Sequence, residues 1–444
     1  MMKYEKCQEL TPKFSQYYPG GHSNLRVPLG VTQNRVFVNR AEGSHLWDID
    51  GNEYIDYVGA MSPGILGHRN PGYVQALKAF MDETSLAVGS GLLNSTDDIE
   101  VAEKLVHHIP CAEKIKFCTT GTEAVQMAIR LARAYTQRPY FIRFGGQYHG
   151  WMDNILGGIL DPNPTGKPFA IESPAKDYTY TQGKAPGAVE ESFLLPWNDI
   201  EALEKTLHQY GDEVALIHFE PLVCNHLCLM PRPGFLEKVR DLCTQYGVVM
   251  SFDEVIAGFR MGLGGAQTFF SVTPDIATYG KAMAGGGVPV SAVMGKAAIM
   301  DLLQDNRVLG PGTFNGFAFG MRAVLASLRI LERNDGEVFR NISRVQSRLT
   351  DGLMALAKQH GIPLFIQGAT GIFYTMFGIE RDSVAYTDAD VKGLDWKLNR
   401  KFWQRMQEEG IIIIAGNRWF VSIAHTDADI DRTLEAVDRV MTTL

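Results

Sequence analysis

Residues 278 to 290 read TYGKAMAGGGVPV and place one lysine, Lys281, just ahead of a glycine run and a proline. A lysine flanked by glycines and held in a cleft loses solvation, its pKa falls, and its amine becomes a nucleophile for a carbonyl carbon. Glycines there let backbone approach something closely. Asp253 ends the apolar run VVMSFD, where a carboxylate needs a cation or a donor. Thr119-Thr120-Gly121-Thr122 lead into the amphipathic stretch EAVQMAIRLAR. Hydroxyls and backbone N–H groups at a helix N-terminus form an anion site suited to a phosphate. Each feature also has a plainer reading: a solvent-facing loop lysine, an aspartate capping the next helix, and an ordinary threonine N-cap supported by Glu123.

The elements that must position these residues follow from pattern. In open α/β sheets ligands sit at the carboxyl ends of strands, so residues just after apolar runs are the candidates. YFIRF (140–144), VALIHFE (214–220), VVMSFDE (248–254) and SAVMG (291–295) alternate with helical stretches such as GFLEKVRDLCTQYG, which predicts a largely parallel sheet covered on both faces. HLWDIDGNEYIDY (45–57) reads as a hairpin turning at Asp50-Gly51. Helical periodicity dominates from about 71 to 135. The helical segments 321–359, 388–409 and 427–443, separated by GIFYTMFG, GIIIIAG and WFVSIAH, predict a smaller α+β domain. The opening hairpin needs a partner sheet and is assigned to that domain. The expected division is 1–66 as an N-terminal part of the small domain, 67–320 as the large α/β domain, and 321–444 as the rest of the small one.

Composition narrows the function classes. The chain has 444 residues, with Lys+Arg 42 against Asp+Glu 50 and a formal charge of -8, so nucleic acid and anionic membrane are not expected partners. MMKYEKCQEL lacks the basic start and apolar stretch of a signal peptide, and no apolar segment reaches the ~20 residues of a membrane span, so a cytoplasmic location is expected. The six cysteines show no disulfide-scaffold spacing. Cys224-Asn225-His226-Leu227-Cys228 offers three ligand types, short of the four that structural zinc takes, and no metal is expected. The GxxxxGK[ST] spacing occurs nowhere, which disfavours ATP.

A phosphate cradle, a strand-end aspartate and a glycine-flanked lysine together match what pyridoxal 5'-phosphate requires. The lysine condenses with the aldehyde, the aspartate keeps the pyridine nitrogen protonated, and the cradle holds the phosphate. With these residues in view, the chain resembles the class III, fold-type I aminotransferases, and within them the subgroup of glutamate-1-semialdehyde 2,1-aminomutase. The motifs that carry the resemblance are YPGG (18–21), LWDIDGNEYIDY, ILGHRNP, TGTEAVQMAIRLARAYT, YHG, FEP, SFDEVIAGFR, PDIATYGKAMAGGG, GTFNG and AHTDADIDRTLEA, spread over nearly the whole length. The resemblance implies a large seven-stranded, mostly parallel sheet domain between helices, with a small α+β domain built from both termini.

The resemblance also implies roles. Lys281 would be the Schiff-base lysine and Asp253 the partner of the pyridine nitrogen. Gly121 and Thr122 would bind phosphate, with Thr120 where the family usually has serine. Tyr148 would stack on one ring face and Val255 pack on the other, and Glu220 and Asn225 would lie near the ring substituents. Thr313 of GTFNG would reach the phosphate of a neighbouring subunit, which implies a homodimer with shared sites.

The continuation CNHLCLMP after FEP, the segment FAFGMRA after GTFNG, and IAGNRWFVSIAH depart from the aminomutase pattern and point to a changed substrate pocket. Arg26 and Arg418 are the candidate forks for a substrate carboxylate. The expected activity is transfer of an amino group from an amino-acid donor such as glutamate to a keto or aldehyde acceptor, with a β-keto acid or a carrier-protein-bound β-ketoacyl chain among the acceptors considered. The alternatives are a true aminomutase and, from another class, a non-catalytic regulatory module that binds the cofactor. The latter would bring a DNA-binding domain and a basic surface, neither of which the sequence displays.

Overall fold

The computed structural model describes residues 2–19, 35–84, 93–158, 183–185 and 187–444. They form two compact units: 1–74 with 337–384 and 388–444, and 75–336 with 385–387. The edges fall somewhat beyond 66 and 320 because helix Ala318–Leu331 packs on helix Thr96–His108 and on the single turn Lys281–Ala284, which keeps it in the larger unit. The break comes instead at Asn334, Asp335 and Gly336, all with positive φ, where the helical run 321–359 is interrupted.

The larger unit holds a seven-stranded sheet. Its spatial order is Lys114–Cys118, Ser291–Gly295, Ile276–Tyr279, Val249–Asp253, Val214–Phe219, Tyr140–Phe144 and Ser192–Leu195. All are mutually parallel except Ser291–Gly295, which runs antiparallel to both neighbours. The central strands Val214–Phe219, Val249–Asp253 and Ile276–Tyr279 are buried along their length, as expected where helices cover both faces, whereas Lys114–Cys118 at the sheet's edge is buried only at Cys118. Helix Gly121–Thr136 lays Val125, Ala128, Ile129, Leu131 and Ala132 on Phe141, Leu216, Val249, Ile276 and Val293 of the sheet. Truncating a fully enclosed residue such as Leu131 to alanine in such a core costs roughly 2–5 kcal/mol.

One stretch read as helical, KIKFC within 71–135, is instead strand Lys114–Cys118. Its five residues are too short to set a period against the two helices that flank it.

The smaller unit takes the opening hairpin, His45–Asp48 against Glu53–Asp56, with Gly51 at φ 85 in the turn. A four-stranded sheet follows when Val38–Glu42 pairs on one side and Ile411–Ile412 on the other. A second sheet joins Leu364–Ala369, Ile372–Phe377 and Arg418–Phe420. Among the described residues no helix is long and apolar enough to cross a membrane.

Candidate active site

Five chain segments reach one end of the sheet, following strands that run the same way. Thr119 to Thr122 follow the strand ending at Cys118, Tyr148 follows Phe144, Glu220 follows Phe219, Asp253 closes its own strand and Lys281 follows Tyr279. Ser291 begins the antiparallel strand at that same end, and its hydroxyl donates to the Thr120 carbonyl at 2.6 Å. The site candidates on the large unit therefore converge because their strands run the same way.

Asp253 is 4% exposed and does not cap a helix. His149 Nδ1 lies 2.7 Å from its Oδ2, His218 Nε2 lies 3.7 Å from the same oxygen, and the Val255 N–H donates to Oδ1 at 3.0 Å. Burial alone pushes a carboxyl upward, but the two histidines outweigh it and hold Asp253 far below the usual carboxylate range. His149 is lowered to about 4 by burial, against the opposing pull of Asp253, so the pair meets as neutral imidazole and carboxylate.

Glu220 organises the neighbouring corner. Its Oε1 accepts from the Tyr148 backbone at 2.9 Å and from Asn225 Nδ2 at 2.8 Å, and Oε2 accepts from the Asn225 backbone at 3.2 Å. Gln147 pins Glu220 from behind, accepting its N–H at 2.8 Å and donating to its carbonyl at 3.3 Å. Burial first, then the charge of Asp253, push Glu220 up to about 7, while Asn225, the Tyr148 N–H and the charge of Lys281 pull it down.

The helix N-terminus is capped as the plainer reading expected: Thr120 Oγ1 accepts from the Glu123 N–H at 3.3 Å, and Glu123 Oε2 accepts the Thr120 N–H at 2.7 Å. The Gly121 and Thr122 N–H groups remain first-turn donors without intrahelical acceptors. Space here is tight. A Cβ on Gly121 would lie 3.3 Å from both Val255 methyls, one on Gly280 would lie 3.6 Å from a Val255 methyl, and one on Gly150 would fall 2.7 Å from Thr122 Oγ1. Val255 thus links the TTGT turn to the lysine strand, and the YHG turn abuts the helix start. Lys281 itself is half-buried at φ 45, a left-handed conformation that a side-chain-bearing residue adopts at a cost of ~1–3 kcal/mol. Such strain persists where the surroundings dictate it.

Thr313 is exposed in the turn before helix Ala318–Leu331, next to Phe314, and Asn315 of that turn accepts from Thr119 Oγ1 at 3.3 Å. Arg418 lies in the smaller unit, buried, with its guanidinium carbon 5.9 Å from the Tyr374 ring centre and 5.5 Å from that of Phe420. Arg26 lies outside the described residues. Sequence reasoning missed His149, His218, Gln147 and Ser251. A histidine inside the apolar run VALIHFE was a usable signal, because a polar ring there needs a partner across the sheet.

The donor set fits pyridoxal 5'-phosphate on its chemistry. Asp253 offers an anionic acceptor whose lone pairs are not all taken by the chain, Thr278 Oγ1 beside it is buried without a hydrogen-bond partner among the described residues, and the glycines at 121, 150 and 280 keep the cradle free of side chains.

The chain matches the family "Aminotransferase class-III" over residues 27–441, and it belongs to that family. It is similar in structure to an omega-transaminase from Sphaerobacter thermophilus, with 27% identity, 98% of this chain and 97% of that chain covered, and a TM-score of 0.87. A beta-phenylalanine aminotransferase from Variovorax paradoxus shares 26% identity, with 98% and 93% covered and a TM-score of 0.82. A glutamate-1-semialdehyde aminomutase from Pseudomonas aeruginosa PAO1 shares the fold at a TM-score of 0.86 with 18% identity, 99% and 94% covered. The protein is a pyridoxal-phosphate-dependent aminotransferase of fold type I.

Proposed function

We propose that the protein transfers an amino group from an amino-acid donor to a keto or aldehyde acceptor, and that the exchanged amine lies at the β position of a carboxylic acid. The observation that carries the transfer reading is the convergence of Lys281, Asp253 and the TTGT turn at one end of the sheet. The β preference is supported by the similarity to the beta-phenylalanine aminotransferase, which exceeds the aminomutase in identity.

When bound, pyridoxal phosphate supplies the aldehyde that takes up the amino group and the ring that accepts the carbon's electron pair. In this reading the Gly121 and Thr122 N–H groups and the Thr122 hydroxyl hold the phosphate. Asp253 accepts a hydrogen bond from the ring nitrogen and keeps its proton in place. Tyr148 and Val255 confine the ring, and Glu220 with Asn225 faces its substituents. Lys281 would hold the cofactor through its Nζ and, as the free amine, would take a proton from the substrate carbon at Nζ and give it back on the cofactor side. Arg26 and Arg418 are the proposed carboxylate contacts. Thr313 is proposed to reach the phosphate in a second copy of the chain, making a homodimer, and the acceptor is either free or presented on a carrier protein.

The test is the absorbance spectrum of the loaded enzyme during addition of L-glutamate, β-amino acids and glutamate-1-semialdehyde in turn. Loss of the visible band with glutamate and with β-amino acids, with the matching keto acids released, is expected. Conversion of glutamate-1-semialdehyde to 5-aminolevulinate without any donor would replace the reading with that of an aminomutase. No change with any amine would leave only a cofactor-binding module.

A further inference from the structure

His218 has no part in the roles above, yet it is a fully buried imidazole within the site. It sits opposite Ser251 in the parallel ladder, and its Nδ1 lies 2.8 Å from Ser251 Oγ. Ser251 and Asp253 are two apart on one strand and share a sheet face, so the ladder register that joins His218 to Ser251 also turns the far ring nitrogen toward Asp253. That nitrogen is 3.7 Å from Oδ2. The His149 ring packs edge-on against the His218 ring at 4.6 Å between centres.

An ionised carboxylate only accepts, with about four lone-pair positions. His149 and the Val255 N–H occupy two of them, and His218 Nε2, without a hydrogen-bond partner among the described residues, faces Oδ2 from 3.7 Å, so acceptor capacity remains for a donor outside the chain. Where the Ser251 hydroxyl donates to His218 Nδ1, the tautomer carries its hydrogen on Nε2. One imidazole N–H then bonds Oδ2 and a second turns its positive end toward the same oxygen from 3.7 Å, and both favour the ion pair, with the proton on the ring nitrogen, over its transfer to the carboxyl.

We propose that His218, oriented by Ser251, is a positioning residue that holds Asp253 anionic and aimed at the cofactor's ring nitrogen. This rests on reading Asp253 as the ring-nitrogen partner. The groups facing the carboxylate from the packed elements are His149 from the YHG turn, His218 and Glu220 from the adjacent strand and its end, and Lys281 through its charge on Glu220.

The experiment loads the enzyme with pyridoxal phosphate labelled with ¹⁵N in the ring and records the nitrogen signal, which reports directly whether that nitrogen carries hydrogen. Wild type is expected to give the protonated signal. Ser251→Ala and His218→Phe should move it toward the unprotonated value and lower kcat roughly tenfold, with KM for the donor within about twofold, as loss of an imidazole dipole facing the carboxylate implies. His218→Gln, whose amide N–H lies near the Nε2 position, should recover most of both. A folded His218→Phe or Ser251→Ala enzyme with unchanged signal and kcat overturns the proposal, and so does equal damage from glutamine and phenylalanine, which would mark a packing role. The ligand atoms of His149, His218 and Asp253 lie within 4.8 Å of one another, so elemental analysis is included, and a stoichiometric transition metal there would also overturn it. Asp253→Asn is the control. If that variant leaves the nitrogen signal unchanged, the reading of Asp253 itself fails, whereas a response to Asp253→Asn but not to either partner variant removes His218 alone.

Discussion

Each unit pairs buried carboxylates with imidazoles, and the two clusters are finished differently. In the smaller unit Asp429 accepts from Ser44 Oγ at 2.8 Å, faces His45 Nε2 at 2.8 Å and accepts the Thr426 N–H at 2.8 Å, so it caps its own helix and ties residues near 44 to residues near 429. Asp56 likewise faces His68 Nε2 at 2.8 Å and accepts the Val58 N–H at 2.8 Å. These carboxylates are consumed by the chain, which is what a structural role requires. In the larger unit Asp253 keeps acceptor capacity, and His149 Nε2 and His218 Nε2 are buried without a hydrogen-bond partner among the described residues. Leaving polar capacity open costs stability and suits a site that completes itself with a ligand.

Substitutions should separate the two clusters. Lys281→Ala is expected to lower turnover by more than about 10³-fold, the upper part of the range for removing a proton-transfer group, with little change in the urea midpoint. Steady-state rates and urea denaturation check it together; an enzyme that retains its rate would dismiss the lysine's role. Asp253→Asn should lower kcat about 10²-fold, equivalent to about 2.7 kcal/mol, and a near-normal rate would make the aspartate a structural group like Asp429. Asp429→Ala should act in the opposite sense, losing about 2–4 kcal/mol of stability through its cap and two side-chain partners while kcat per folded molecule stays within about twofold. A stable Asp429→Ala protein would erase the distinction drawn between the clusters.

The smallest effect is a pH dependence, and its sign differs by group. His149 in the larger unit and His425 in the smaller are both lowered by burial from 6.5 to about 4. The folded state then binds fewer protons than the unfolded one, so their contribution is complete above 6.5 and is lost as pH falls toward about 4. Glu220 and Glu254 are raised, chiefly by burial, from 4.5 to about 7, so their neutral forms contribute below 4.5 and that contribution is lost as pH rises through about 7. His425→Gln should therefore flatten the acid-side loss of stability, and Glu220→Gln the loss toward neutrality. Melting temperatures across pH 4.5 to 7 measure both, and parallel slopes in the two variants would contradict the assignment.

Much of the site was legible because its markers are local. The glycine run beside Lys281, the strand-end position of Asp253 and the hydroxyl-rich helix start are each contained in a few consecutive residues. The histidines were not legible in the same way. His149 meets Asp253 across 104 residues, and His218 meets Ser251 across 33, through a ladder register that no short window contains. The strand Lys114–Cys118 was hidden for a related reason: five residues between two strong helices carry little period of their own, and their strand state is fixed by pairing with Ser291–Gly295.

By itself the sequence determined what neighbours along the chain decide: the capping box at Thr120 and Glu123, the Asp50-Gly51 hairpin, the helical period of 121–136, and the glycines at 285 and 286, whose positive φ suits residues without a side chain. The tertiary structure alone decided which strand ends lie side by side, that Ser291–Gly295 runs antiparallel between two parallel neighbours, and which imidazoles face the carboxylate. Caps and turns depend on contacts within about four residues, whereas strand order and register are chosen by long-range burial that must offset the entropy of closing large loops.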